Sequence, residues 1–298
     1  MANLYGWIVY NGNLITDKFI DYVSWFQQAA QKQNITVDAI PNNRLLVTTT
    51  SKGPAITGFG NKKPDFVHFA DKDLHLARQL EALNIPVFNN SRAIELCDNK
   101  AYMYQRLSEK GVPIPETIIA PKIYNGLPLQ DQSHIDLVIE ELGFPLIIKE
   151  AYGSFGKQVY WVENQEELTK RVTQLTGTEF VFQKPVHSSL GKDTRLNLVG
   201  NQVVTSMMRT SDSDFRANVT AGGKTMPYTP TAEEIDLAIK SAKAVDCDFA
   251  GVDLLFGEDG PILCEVNSNP HLRSIFECTG VDVADEMIHY IRKAVQEN

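Results

Sequence analysis

The sequence predicts a mixed α/β fold, and three observations support this. Over about the first 90 residues, strand-like apolar runs alternate with helix-length segments, a pattern typical of a parallel sheet with helices on its faces. Further along, pairs of apolar runs are joined by short turn sequences, which predicts antiparallel hairpins and a second, α+β part. The segment AYGSFGK lies between two more apolar runs and predicts a glycine-rich hairpin loop.

Composition limits the classes of protein to consider. The 298 residues are enough for two or three compact units, and no apolar run approaches the roughly 18 residues that span a bilayer. The N-terminus lacks a basic region and a cleavage site, so we expect a cytoplasmic protein without a membrane partner. A net charge of −9 argues against a nucleic-acid partner. No C-x-x-C spacing occurs, so we expect reduced, buried cysteines.

The first part of the chain contains the predicted β-α-β units. We expect strands at residues 4–10, at ITVDAI, at DFVHFA and at IPVFN, with helices from Thr16 to Gln33 and from Lys72 to Leu83. The first strand is not followed by G-x-G-x-x-G, so no dinucleotide site is expected there. A helix capped by Ser91 and running to Lys110 then leads into a second domain, with Lys100 near its middle.

The strand PLIIKE carries a lysine among branched apolar residues and precedes the glycine-rich loop. Burying Lys149 is costly without an anionic partner. Gly153 and Gly156 allow backbone N–H groups to approach phosphate oxygens closely. Because no helix and no GK[ST] follow, the loop is a hairpin lid and not a Walker loop. The pattern predicts a phosphate-binding cradle.

The remaining elements alternate between strands and helices. After a helix from Glu166 to Leu175, the strand EFVFQKPV ends at Pro185, and two strands follow around a VGNQ turn, carrying Arg195 and Arg209. Residues 211–226 are polar, contain glycine and lack periodicity, so we expect a mobile lid there. A helix from Ala232 to Val245 precedes a final hairpin, and one amphipathic helix closes the chain.

The final hairpin, GVDLLF-GEDGP-ILCEVN, predicts a metal site. Folded about its turn, it places Asp253 opposite Glu265, with Asn267 on the same face. Two carboxylates and an amide among apolar residues suit Mg²⁺ or Mn²⁺. The alternative is three solvated residues on an exposed face. Because opposed like charges destabilise a sheet, we expect loss of one carboxylate to stabilise the metal-free protein slightly.

Taken together, the motifs resemble those of a known superfamily. In order they are DNKAYMYQRLSEKGVPIPET, PLIIKEAYGSFGKQV, GKDTRLNLVG, DFRANVTAGG and AGVDLLF…CEVNSNP. From about Ala93 onward the chain resembles the ATP-grasp superfamily, most closely its RimK-type glutamate ligases, and FRANVTAGG is similar to bacterial glutathione synthetase. The resemblance implies an ATP-grasp fold preceded by a small Rossmann-like α/β domain. The implied units are residues 1–95, a small subdomain with the glycine-rich loop and hinge at 96–187, and a large subdomain with the metal site at 188–298.

The resemblance also implies roles for individual residues. The implied ATP contacts are Lys100, Lys149, Gly153, Ser154, Phe155, Gly156, Gln183, Lys184, Pro185, Val186 and Lys192. Those implied near the transferred phosphate and the acceptor carboxylate are Arg209, Arg216 and Asn218. The implied ligands of Mg²⁺ or Mn²⁺ are Asp253, Glu265 and Asn267, which agrees with the hairpin argument. Lys157, His271 and Arg273 depart from the family pattern.

The implied activity is ATP-dependent ligation of a carboxylate to an amine. A substrate carboxylate attacks the γ-phosphate of ATP to give an acyl-phosphate, and an amine then displaces phosphate. The resemblance implies addition of an amino acid such as glutamate to a small molecule or a peptide, by a homo-oligomer. Two alternatives remain: a small-molecule kinase, or a nucleotide-binding module without catalysis. No general base for the incoming amine is identified.

Overall fold

The computed structural model describes residues 4–58, 60, 62–153, 156–217 and 222–297. Within these residues the strands form three main sheets and one small hairpin, and helices cover the sheets. No helix in the described ranges combines the length and apolarity needed to cross a bilayer. Each main sheet lies within one of the three predicted segments, and the exact division into domains stays a prediction.

The first sheet confirms the predicted β-α-β arrangement. Its strands run parallel in the order β2-β1-β5-β6. The elements of this part are β1 (Tyr5–Tyr10), α1 (Asp17–Lys32), β2 (Thr36–Pro41), β3 (Leu46–Thr50), β4 (Gly53–Thr57), β5 (Phe66–Ala70), α2 (Leu74–Ala82) and β6 (Val87–Phe88). The β3–β4 hairpin was not predicted, because its mostly exposed strands lack a buried apolar face.

Two helices, not one, connect the first sheet to the second. They are α3 (Ser91–Asp98) and α4 (Lys100–Glu109). Asn99 separates them in an extended conformation, and its side chain accepts hydrogen bonds from the backbone N–H groups of Ala101 (2.9 Å) and Tyr102 (3.2 Å). The predicted single helix capped by Ser91 is therefore wrong: Asn90 caps α3. Lys100 begins α4 and does not lie in mid-helix.

The second sheet is antiparallel in the order β7-β10-β8-β9. Its elements are β7 (Thr117–Ile119), α5 (Ser133–Leu142), β8 (Leu146–Glu150), β9 (Val159–Val162), α6 (Gln165–Gln174) and β10 (Phe180–Gln183). The helices α5 and α6 pack on one face through buried residues such as Ile135, Leu168 and Phe182. The strands β8 and β9 flank the glycine-rich segment as predicted, whereas β7 and α5 were not predicted.

The third sheet holds the final hairpin. It is antiparallel in the order β13-β12-β11-β14-β15, with α7 packed against it. Its elements are β11 (Lys192–Val199), β12 (Gln202–Thr210), β13 (Lys224–Pro227), α7 (Ala232–Ala244), β14 (Phe249–Gly257) and β15 (Gly260–Asn267). The strand β13 lies partly within the segment expected to be irregular and pairs with β12.

The chain closes with two helices, α8 (Arg273–Thr279) and α9 (Val283–Glu297), where one was predicted. Gly280, at a φ of 74°, allows the turn that ends α8. The amphipathic α9 buries Met287, Ile288 and Ile291 in a core that also contains Phe26 from α1 and Phe249 from β14. This shared core fixes the first sheet against the third, so residues from both can face one cleft.

Candidate active site

The predicted site residues converge on a single cleft of about 910 Å³. This volume lies in the upper range of small-molecule sites. Ser154, Phe155 and Asn218 lie outside the described residues. Of the predicted residues that the structure describes, all but Pro185 line the cleft: Lys100, Lys149, Gly153, Gly156, Gln183, Lys184, Val186, Lys192, Arg209, Arg216, Asp253, Glu265 and Asn267.

The floor of the cleft is a ladder of charged side chains on the third sheet. Asp253 on β14 pairs directly with Glu265 on β15, which confirms the predicted register. On its other side Asp253 pairs with Arg195 on β11, and two residues along that strand Asp193 pairs with Arg209 on β12. Paired residues on neighbouring strands share a face, so these five side chains meet at the cleft.

Two arginines bind the central carboxylate. The Arg195 Nε atom donates to Asp253 Oδ1, and its Nη2 atom lies 2.7 Å from Oδ2. The Arg209 Nη2 atom lies 2.8 Å from the same Oδ2. The prediction that removing one carboxylate relieves repulsion is therefore wrong for Asp253. Sequence reasoning also missed Asp193 and Arg195 as site residues, although their i, i+2 spacing in DTRLN was a usable signal.

The pKa values of the two aspartates move in opposite directions. Burial raises the pKa of Asp253, but Arg195 and Arg209 outweigh burial and lower it to about 2. Burial also raises the pKa of Asp193; Arg209 opposes this, yet the value stays above its usual range because Asp253 repels it as well. The difference follows from the two guanidinium groups that Asp253 binds, whereas Asp193 binds one.

The oxygen donors at this end of the hairpin fit a hard divalent cation. Asn267 Nδ2 donates to Glu265 Oε1 at 3.0 Å, which holds the amide beside the carboxylate. Within the described ranges, no three His, Cys, Asp or Glu side chains lie close enough together to bind one metal ion. A cation would therefore need the Asn267 amide oxygen as well as the carboxylates of Asp253 and Glu265, and it would compete with the arginines for Asp253.

Two lysines near the glycine-rich segment line the cleft. Lys149 is only 7% exposed, and its ammonium lies 3.3 Å from the Tyr104 hydroxyl. Burial works to lower its pKa, but Tyr104, Cys264 and Glu265 outweigh burial and raise it. Lys100 donates to the Gly153 carbonyl at 3.3 Å, and burial lowers its pKa despite the attraction of Glu265. Both ammonium groups suit a phosphate chain.

Arg216 connects the polar segment after β12 to the glycine-rich loop. Its guanidinium pairs with Asp214 (2.6 and 2.9 Å) and donates to the carbonyl of Gly156 and, at 3.4 Å, to that of Val159. The sequence predicted this arginine near the transferred phosphate. In the structure it joins the segment after β12 to the end of the glycine-rich loop and the start of β9.

The hinge segment, residues 183–186, begins at the last residue of β10 and contains a buried amide and an exposed lysine. Gln183 is 2% exposed and donates to the Thr117 hydroxyl at 2.8 Å. The Lys184 backbone N–H donates to the Glu116 carbonyl at 2.9 Å, and its ammonium lies 3.5 Å from the Glu116 carboxylate. The Lys192 ammonium lies 5.1 Å from the centre of the Phe256 ring. Lys184 therefore holds β10 against the start of β7 as well as lining the cleft.

Two residues that depart from the family pattern line the far end of the cleft. Arg273 pairs with both carboxylate oxygens of Asp21 on α1 and lies 4.9 Å from the centre of the Trp25 ring, so it joins α8 to α1. His271 packs edge-on against Phe19, with ring centres 5.5 Å apart. The third departure, Lys157, is exposed and is not among the lining residues.

Comparisons with known proteins agree with this architecture. Residues 97–291 match the family model described as a RimK-like ATP-grasp domain. A probable alpha-L-glutamate ligase of Syntrophotalea carbinolica is 34% identical over 81% of this chain and 79% of its own length. Another, of Maridesulfovibrio salexigens, is 31% identical over 90% of each chain. The solved ATP-grasp ligase PsnB, in complex with a precursor variant, Mg and ADP, superposes with a TM-score of 0.70 at 16% identity over 98% of each chain.

Proposed function

The chain belongs to the RimK-like ATP-grasp family and is an ATP-dependent ligase that forms C–N bonds, and from that premise we propose how its cleft performs the reaction. One observation carries the proposal. The lysines of the glycine-rich region and the charged ladder of the third sheet face the same cleft, which brings together the groups that we propose for phosphate and for metal binding.

The nucleotide lies between the second and third sheets. Lys100 and Lys149 contact its phosphates, and the loop from Gly153 to Gly156 closes over them, with Arg216 holding that loop through the Gly156 carbonyl. The adenine lies at the hinge, residues 183–186. Because the Lys184 N–H already bonds to Glu116, the hinge reads the base through neighbouring backbone groups. Lys192, at the cleft rim, contacts the nucleotide from the opposite side.

Asp253, Glu265 and Asn267 hold Mg²⁺ or Mn²⁺ through oxygen atoms. Such an ion would offset the charge of the phosphates. Arg209 lies beside this set, buried between Asp193 and Asp253, and stabilises the negative charge of the transferred phosphoryl group. Asn218 stays a predicted contact of the acceptor.

The reaction proceeds in two displacements. An oxygen of the substrate carboxylate attacks the γ-phosphorus, and the bond to the β–γ bridging oxygen breaks to release ADP. The amine nitrogen then attacks the acyl carbon, the C–O bond to phosphate breaks, and the nitrogen loses a proton. Closure of the loop held by Arg216 keeps water from the acyl-phosphate. We propose L-glutamate as the amine, because the relatives named above are probable alpha-L-glutamate ligases. The cytoplasmic location and the homo-oligomeric state stay predictions.

Trapping with hydroxylamine tests the proposal. With ATP, Mg²⁺ and the correct acid, hydroxylamine should convert the acyl-phosphate into a hydroxamate, measured together with ADP release. Reactions without acid, and reactions of the Glu265→Gln variant, provide the controls and should give none. A stable phosphate ester without hydroxamate would identify a kinase. ADP release that neither a carboxylate nor a hydroxyl compound stimulates would contradict both activities.

A further inference from the structure

The carboxyl-terminal edge of the first sheet faces the same cleft as the charged ladder. In the strand order β2-β1-β5-β6, the chain leads from β1 to β2 at one edge of the sheet and from β5 to β6 at the other edge. The strand order therefore reverses between β1 and β5. The crevice outside the strand ends at such a switch point is the usual ligand site of an open parallel sheet. Asn11 and Asp71 are the first residues after β1 and β5, and both line the cleft.

Asp71 presents a negative charge in this crevice. The Asn11 Nδ2 atom lies 3.4 Å from each of its carboxylate oxygens, which directs the carboxylate between the two strand ends. Burial raises the pKa of Asp71, Asp73 adds to the rise, and hydrogen bonds from Lys72 and Asn11 oppose it. The ammonium of Lys72 is paired with Asp98. A ligand cation would therefore compensate the burial of the Asp71 charge.

A group of basic side chains lies further along the cleft. Lys18 on α1, Arg195 on β11 and His271 all line it. Burial, Lys18 and Arg195 all lower the pKa of His271, to about 4. The His271 ring is therefore neutral near pH 7 and able to donate one N–H, while Lys18 supplies charge. These side chains give this part of the cleft the positive charge and the N–H donor that suit a ligand carboxylate.

One short segment connects the acidic and the basic groups. The Asn269 Nδ2 atom donates to the backbone carbonyl of Asp71 at 3.3 Å, and His271 follows two residues later. Two residues span at most about 7 Å. The Asn269 Oδ1 atom is buried and accepts no hydrogen bond from the part of the chain that the structure describes. His271 therefore lies close along the chain to the residue that contacts Asp71, and positive and negative groups both line this end of the cleft.

We propose that this end of the cleft is an amino-acid subsite, in which Asp71 binds the ammonium of the amine substrate and Lys18, with His271, binds one of its carboxylates. The subsite rests on the proposed ligase function, because it gives the amine substrate its place. It also gives the first sheet a part in selecting that substrate. The nucleophilic nitrogen then enters beside Asp71, whose neighbour Lys72 contributes to the charge environment of Lys100 at the phosphate end.

Calorimetry with the full chain, a non-hydrolysable ATP analogue and Mg²⁺ tests the proposal without turnover. L-Glutamate and glutarate, which lacks the ammonium, are titrated into the wild type and the Asp71→Asn variant. We expect the variant to bind L-glutamate roughly ten- to a hundredfold more weakly and glutarate unchanged. Asp38→Asn, a carboxylate on β2 outside the cleft lining, is the matched control and should bind both ligands like the wild type.

The basic group is tested with Lys18→Met and with His271→Gln. Both should weaken L-glutamate binding by a similar factor. L-Glutamine lacks the side-chain carboxylate and L-isoglutamine lacks the α-carboxylate. If Lys18→Met and the wild type bind one of these analogues equally well, Lys18 binds the carboxylate that this analogue lacks. Lys32→Met is the control, because Lys32 is on the same helix but pairs with Asp282 and Asp285. Unchanged affinity for the ATP analogue shows that each variant is folded.

The outcomes separate this inference from the proposed function. Equal binding of L-glutamate by the wild type, Asp71→Asn and Lys18→Met would overturn the subsite, whatever the enzyme catalyses. Absence of L-glutamate binding to the wild type would overturn it as well. Selective loss of binding in the variants would support the subsite, and it would do so even if hydroxylamine trapped no acyl-phosphate, a result that would contradict only the proposed reaction.

Discussion

Replacing Asp253 by asparagine should destabilise the metal-free protein. The carboxylate is 2% exposed and binds both Arg195 and Arg209. The lowering of its pKa from 3.8 to about 2 corresponds to about 2 kcal/mol of stability at neutral pH. Breaking a buried pair costs about 3–5 kcal/mol in general, and this figure describes the same contacts, so the two values bracket one loss and do not add. We expect Asp253→Asn to lower the free energy of unfolding by about 2–4 kcal/mol at pH 7.

The effect should depend on pH in a defined direction. Because the folded-state pKa of Asp253 is lowered, its stabilisation is complete above the unfolded-state value near 4 and is lost as the pH falls through about 2. The difference between wild type and variant should therefore shrink between pH 4 and pH 2. Urea unfolding with a chelator present, followed by circular dichroism at several pH values, measures this difference.

Glu265→Gln is the matched control, because it also removes a predicted metal ligand. Glu265 accepts a hydrogen bond from the neutral Asn267 amide, binds no guanidinium among the described residues and is less buried, so its replacement should cost less than that of Asp253. The double variant Asp253→Asn with Arg195→Met should lose less stability than the sum of the losses in Asp253→Asn and in Arg195→Met. An Asp253→Asn protein as stable as the wild type, or a Glu265→Gln protein equally destabilised, would refute the pairing argument.

Three further variants probe other parts of the cleft. Lys149→Met should bind ATP roughly 10- to 100-fold more weakly in calorimetry, since one charge-assisted hydrogen bond contributes about 1.5–3 kcal/mol. Arg216→Gln should release the Gly156 carbonyl and make the glycine-rich loop more sensitive to limited proteolysis. Gly251→Ala should lower Mg²⁺-dependent turnover at least tenfold, because its Cβ would lie 3.1 Å from Arg195 Nη1 and 2.8 Å from Pro270 Cβ.

Each of these variants has a control and a contradicting result. Lys192→Met, at an exposed position of the same cleft, should weaken ATP binding only a few-fold; equal losses would contradict a special role for Lys149. Arg171→Gln, on α6, should leave the proteolysis of the glycine-rich loop unchanged. For Gly251→Ala, wild-type turnover with an unchanged unfolding midpoint would show that Arg195 tolerates displacement.

The sequence by itself determined the classes of element and a group of candidate phosphate and metal contacts that line the cleft. Period-two apolar runs, the VGNQ turn and the GEDGP turn located the strands of the third sheet, because local patterning and turn chemistry act over a few residues. The α3–α4 break was missed, since Asn99 interrupts an otherwise helical stretch by capping the next helix with its own side chain.

The tertiary structure decided which face each charge occupies and what neutralises it. The turn pairs Gly257 with Gly260, and continuing that register would place Asp253 opposite Cys264. An irregularity after Asp253 shifts the pairing by one residue, which brings Glu265 opposite instead. Whether the carboxylate is repelled or stabilised then depends on Arg195 and Arg209, which reach it from strands more than 40 residues away in the chain. Short-range patterns carry no signal for such contacts, because packing of distant strands alone brings these charges together.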